Sequence, residues 1–244
     1  MPMGFGGGGS MMPFLLLLVV PLLLGLWAQF RVKSAFGRAS RIPASSGLTG
    51  AQIAREIMRA HNINDVGVEV SHGMLSDHYD PKAKMLRLSE AVHNGRSVAA
   101  AGIAAHEAGH AVQHATNYGP LALRSGLVPL AVVGSNVSNI ALLIGVFMWA
   151  ILGPQLGMTV MLIGIGGLCL VALFQLITLP VEFDASRRAK DLLTSTGLVA
   201  PGVEANAMHS VLNAAALTYV AALVATLGTI LYYAVMVFGG GRRD

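Results

Sequence analysis

The sequence predicts a mainly α-helical chain that crosses a membrane about four times and carries a small α+β domain outside the bilayer. Three observations predict it. Of 244 residues, 54% are hydrophobic and only 11% charged, against about 45–50% and about 25% in soluble domains. The apolar residues gather into long runs, one of which carries no charge from Gly126 to Val181. Between the runs lie segments with ordinary charge, turn residues and strand-like alternation.

The formal net charge is +4. Lys and Arg flank apolar runs and form no patch interleaved with aromatics. The basic balance therefore indicates a lipid bilayer with positive cytoplasmic flanks, and no nucleic acid as partner. One cysteine, Cys169, excludes an intramolecular disulfide and a cysteine-built zinc cluster.

The elements follow in order. Residues 1–12 are Gly- and Met-rich and read as a disordered tail. Residues 13–30 are apolar and near the minimum length for a first span. Arg31, Lys33, Arg38 and Arg41 follow that run instead of preceding it, which favours a retained anchor over a cleaved signal and puts the N-terminus outside. Residues 31–126 are then cytoplasmic. Within them Thr49-Gly50-Ala51-Gln52 fits a capping box, Ile53, Ile57 and Ala60 mark one helical face, and Asn62 ends the helix. Residues 66–70 and 85–88 read as strands, with turn chemistry at Asp80-Pro81-Lys82, giving a small β-hairpin or three-stranded ribbon. Ser97 caps a long helix through His114. Two spans follow at 127–151 and 157–179, joined at Gly153-Pro154-Gln155. Residues 180–216 are helical and cytoplasmic, with Pro180 before a helix that Gly197 terminates, and Pro201 opens the helix that becomes a fourth span at 217–238. Residues 239–244 are a short tail. The C-terminal Arg242 and Arg243 fall outside on this topology, against the charge rule.

His106-Glu107-Ala108-Gly109-His110 lies in the long capped helix. Residues four apart share a face, so His106 and His110 can bind one tetrahedral zinc ion. Glu107 then reaches the open metal position, where it acts as general base toward a zinc-activated water and passes the proton to the leaving amine. Ala108 and Gly109 are small enough for another element to come close. The surrounding alanines make the helix look buried, and two histidines and a glutamate there are costly without a partner.

A third ligand is required. Gln113 and Thr116 stand where a metzincin would carry Gly and His, which excludes that class. His114 lies about 12 Å along the helix from His106 and about 80° around it, too far to share the ion. Glu182 is the best candidate. It is the first charged residue after a 57-residue uncharged stretch, and two crossings return the chain to the membrane face of His106 and His110. Asp184 is the runner-up, and alternatively orients a liganding histidine.

His106 to Gln113, together with Ser76-Asp77-His78-Tyr79-Asp80-Pro81, Leu86-Arg87-Leu88-Ser89, Leu179 to Ser186 and Leu212 to Val220, resembles the YugP-type neutral zinc metallopeptidases of membranes from about residue 48 to 225. That group is similar to the HtpX and CAAX-prenyl proteases, which are integral-membrane gluzincins. The resemblance implies a gluzincin-like domain, one zinc ion on His106, His110 and Glu182, and Glu107 as base. The HtpX-like pattern often places an Asp four residues after the ligand Glu, whereas this chain has Ser186 there and Asp184 nearer.

Other residues carry two readings each. Asp77 and His78 either face a substrate cleft, where an edge strand can hold a peptide, or sit at a solvated turn. Tyr219 either donates to an oxyanion or marks the start of the fourth span. His209 either lines the cleft or faces headgroups. The expected function is hydrolysis of peptide bonds in peptides or proteins, including membrane proteins, at the cytoplasmic face of the cell membrane. The alternative is a non-catalytic zinc-binding scaffold or quality-control adaptor. Transport is disfavoured because the spans hold no ionisable residue.

Overall fold

A computed structural model describes residues 12–73 and 76–239. The expected tails lie outside the described residues at 1–11 and 240–244. The chain is built of helices α1 (Met12–Ala39), α2 (Gly50–Ala60), α3 (Glu90–His93), α4 (Val98–Ala115), α5 (Gly119–Leu152), α6 (Pro154–Ser195) and α7 (Val203–Gly239), and strands β1 (Gly67–Ser71), β2 (His78–Asp80) and β3 (Met85–Ser89). Among the described residues, α5, α6 and α7 are long and apolar enough to cross a membrane. The first expected span, 13–30, forms the first part of α1.

The chain divides into two compact units. One holds the apolar parts of α1, α5, α6 and α7. Its helices touch through glycine: a Cβ on Gly134 would lie 2.8 Å from the Gly167 carbonyl oxygen, and one on Gly167 would lie 2.5 Å from that of Gly134. Leu142, Met161 and Val237 are buried between them. The outward face is as apolar as the inward one, with Leu143, Phe147, Ile151 and Ile163 between 56% and 76% exposed. A continuous apolar exterior of this kind belongs against lipid or protein.

The other unit spans 27–129 and 173–220. Thr49 and Gln52 form the capping box that opens α2, and Ile53 and Ile57 of its apolar face pack with Leu86, Leu88, Val98 and Ala101. Ser97 caps α4 through Ala100 N–H. Alanines on nearly every side of α4 let it run through the middle of this core, against Leu193, Met208 and Leu212. The three-stranded sheet has the order β1-β3-β2. The strands expected at 66–70 and 85–88 pair in parallel, so they are not the two arms of a hairpin. The antiparallel partner of β3 is β2, whose three residues are too few to show alternation. Asp80 closes that turn by accepting from the N–H of Lys82 and Ala83.

Pro180 was expected to precede a new helix. Instead α6 runs unbroken from Pro154 to Ser195 with Pro180 inside it. One lost backbone hydrogen bond is tolerated where tertiary packing holds both flanks. Glu182 therefore stands in mid-helix and not at a helix N-terminus.

Candidate metal centre

His106 and His110 lie one turn apart on α4, with ring centroids 4.9 Å apart. What brings a third donor to them is Gly109. A Cβ there would sit 3.0 Å from the carbonyl oxygen of Ala185 and 3.4 Å from its Cα, so α4 and α6 cross backbone to backbone at this point. Glu182, almost one turn earlier on α6, is thereby carried over the imidazoles. Its Oε2 lies 3.2 Å from His106 Nε2 and 3.7 Å from His110 Nε2. Its Oε1 lies 3.2 Å from an Arg124 guanidinium nitrogen at the start of α5.

The donor set fits a metal on three counts. Two imidazoles and a carboxylate offer one ligand atom each, all within 4.8 Å of one another. A tetrahedral ion with bonds of about 2.0–2.1 Å holds neighbouring donors about 3.3 Å apart, close to the 3.2 and 3.7 Å from Glu182 Oε2 to the two imidazoles. Glu182 and His110 are also buried, at 2% and 7% exposure, and such groups need strong compensation. Burial pushes the His110 ring toward its neutral form. The hydrogen bond and charge of Glu182 outweigh that and raise its pKa above the usual 6.5.

The far side of each ring is also engaged. Ser186 Oγ lies 3.2 Å from His106 Nδ1. Gln113 Oε1 lies 2.9 Å from His110 Nδ1, and the Gln113 amide nitrogen donates to Val181 O at 2.8 Å and Asp184 Oδ2 at 3.0 Å. Asp184 accepts in turn from Arg188 Nε at 2.6 Å and from Arg187. Asp184 is thus committed to Gln113 and two arginines and lies outside the three-donor cluster. Glu107 is 9% exposed and borders two lobes of one cleft, of about 400 and 370 Å³, whose shared wall also includes Asp77, His106, Glu182 and Tyr219. The larger lobe is faced mainly by Val32, Phe36, Ile103, Val211 and Leu212. His78, Lys82 and Arg124 give the smaller one a polar face.

The sequence candidates thus separate. His106, His110, Glu182, Glu107, Tyr219, Asp77 and His78 share the cleft. Ser186 both meets His106 Nδ1 and lines the larger lobe, while Asp184 lines neither lobe and reaches His110 only through Gln113. His209 lines neither lobe, and His114 points to β2, where the Tyr79 hydroxyl is 2.7 Å away. Sequence reasoning missed Gln113 and Arg124. Gln113 carried one signal, an amide three residues past His110 in an alanine-rich helix. Arg124 read only as a flanking charge.

The family model described as "Putative neutral zinc metallopeptidase" matches residues 14–238. Among curated proteins the chain is similar to "Putative membrane protease YugP" of Bacillus subtilis (strain 168), with 45% identity over 235 residues, covering 96% of this chain and 100% of that protein. No solved structure matches.

Proposed function

Because the chain belongs to the neutral zinc metallopeptidase family, we propose that it is a membrane-embedded, gluzincin-like zinc endopeptidase that cuts peptides or proteins, membrane proteins among them, at the cytoplasmic face. The observation that carries this reading is the convergence of the His106, His110 and Glu182 ligand atoms within 4.8 Å of one another, with Glu182 Oε2 3.2 and 3.7 Å from the two imidazoles and Glu107 beside them. His106, His110 and Glu182 would hold one zinc ion. When bound, zinc polarises a scissile carbonyl and lowers the pKa of a water molecule.

The remaining chemistry falls to the chain. The Glu107 carboxylate takes a proton from the attacking water as its oxygen bonds to the carbonyl carbon. It then gives that proton to the amine nitrogen as the C–N bond breaks. Its partial burial strengthens both transfers by excluding bulk water. The Tyr219 hydroxyl, on the same wall, is the candidate donor to the oxyanion. The two lobes give room for substrate on both sides of Glu107, which suits cleavage within a chain. We read α1 as a span as well, the first of four, with the N-terminus outside and residues 31–126 and 180–216 cytoplasmic.

The test is zinc content and casein cleavage by detergent-purified protein. Wild type should hold about one zinc per chain. Glu107→Gln should keep the metal and lose cleavage, while Glu182→Ala should lose both. Cleavage undiminished in Glu107→Gln would dismiss the general-base role and leave the non-catalytic scaffold as the better reading.

A further inference from the structure

A histidine holds a metal through one nitrogen, and the proton on the other nitrogen decides which. At His110 that choice is made by a chain of groups of fixed polarity. The Gln113 side chain has no exposed surface, so all its hydrogen bonds are made inside the protein. Its amide nitrogen contacts Val181 O and Asp184 Oδ2, and a carbonyl and a carboxylate only accept. That fixes which end of the amide is NH₂. Its oxygen must then face His110 Nδ1 at 2.9 Å and accept from it. His110 consequently carries a proton on Nδ1, which leaves Nε2, on the Glu182 side, as the nitrogen free to exchange its proton for a metal.

Asp184 is itself prevented from turning. Arg188 and Arg187 both bind its carboxylate, and the Arg188 guanidinium lies over the Tyr118 ring, 5.7 Å from its centroid. The orientation is thus handed down from Arg188 through Asp184 and Gln113 to His110. His106 has no such device. Its Nδ1 meets the Ser186 hydroxyl, which can donate or accept and dictates nothing.

We propose that Gln113 is the positioning residue that sets His110 as an Nε2 donor, with Asp184 as the anchor that keeps the Gln113 amide from flipping. This rests on the zinc reading of the site, and partners of this kind are worth about 10–100-fold in metal affinity.

The experiment measures zinc affinity of the full chain in detergent by chelator competition, with the visible spectrum of the Co²⁺-substituted protein as a report on ligand geometry. Gln113→Leu should bind zinc about 10–100-fold more weakly and shift the Co²⁺ bands, while its metal-free melting midpoint stays near that of wild type. Gln113→Glu keeps the acceptor but sets a second carboxylate against Asp184, and should also bind weakly. Adding Asp184→Asn restores a donor facing Glu, though Val181 O still lacks one, and should recover part of the affinity. If Gln113→Leu binds like wild type, the assignment falls. If Gln113→Leu melts early, the Glu/Asn pair decides: recovery supports the polar chain, and no gain over Gln113→Glu means that Gln113 only packs. Wild type that takes up no zinc sinks the metal reading itself, a separate failure.

Discussion

At the scale of single residues, the site is a competition between protons and metal for buried nitrogens. Zinc binds neutral imidazole, so acid releases it. In the metal-free protein Glu182 outweighs the burial of His110 and raises its pKa above 6.5. The proton is therefore a stronger competitor than for an ordinary histidine, and apparent zinc affinity should begin to fall while the pH is still above 6.5. Chelator competition across pH 5.5–8 checks this; a flat affinity down to pH 6 would contradict it. The pairing of His106 with His110 was legible because residues four apart share a helix face; the base role of Glu107 stays a proposal. Glu182 needed the count of crossings between it and the motif. Arg124 was illegible because it acts through a contact 58 positions away, and Gln113, though only three residues past His110, is oriented by Val181 and Asp184 on another helix, which local spacing does not encode.

Among the elements, local signals survived and pairing did not. The capping box at Thr49, the cap at Ser97, the positive φ of Asn62 and the turn glycines Gly153 and Gly197 all depend on neighbours within a few residues. The parallel pairing of β1 with β3 and the passage of α6 through Pro180 depend on the packed unit. Two predictions belong here. Gly109→Val should force α4 and α6 apart at their crossing, since even a Cβ meets the Ala185 backbone at 3.0 Å. Overpacking of this kind costs about 1–3 kcal/mol, and because Glu182 rides on α6, zinc should be lost along with stability. A variant with full zinc content would show that the crossing does not set the site. The second concerns the β2–β3 turn. Backbone hydrogen bonding by Ala83, and then Arg87, hold the Asp80 carboxyl below its ordinary 3.8. A depressed carboxyl stabilises the fold above its unfolded value and loses that contribution as pH falls through the folded one. Asp80→Asn should therefore melt below wild type at pH 7, and the gap should close as the pH drops below 3.8. A gap independent of pH would assign the loss to geometry instead of charge.

For the molecule as a whole, the question is which ends of the helices face which side of a membrane. Helix α6 has 42 residues, about 63 Å at 1.5 Å each, roughly twice the hydrocarbon thickness of about 30 Å. Only part of it can lie in lipid. Its uncharged part ends before Glu182, and Arg187, Arg188 and Lys190 follow, so the charged end should be cytoplasmic and the Gly153 turn outside. Cys169, the one cysteine of the chain, is exposed on α6 within the expected span, and Cys169→Ala leaves a clean background for labelling. In intact cells a membrane-impermeant maleimide should label Gln155→Cys in that background. Thr196→Cys should be labelled only after lysis. In wild type, Cys169 should resist the impermeant reagent and react with a lipid-soluble one. The reverse pattern at 155 and 196 would put the metal centre on the outer side and move its substrates there. Labelling of both positions from outside would remove the third span. Either result would leave the zinc chemistry of His106, His110 and Glu182 intact, because those donors converge through the α4–α6 crossing and not through the side of the membrane they face.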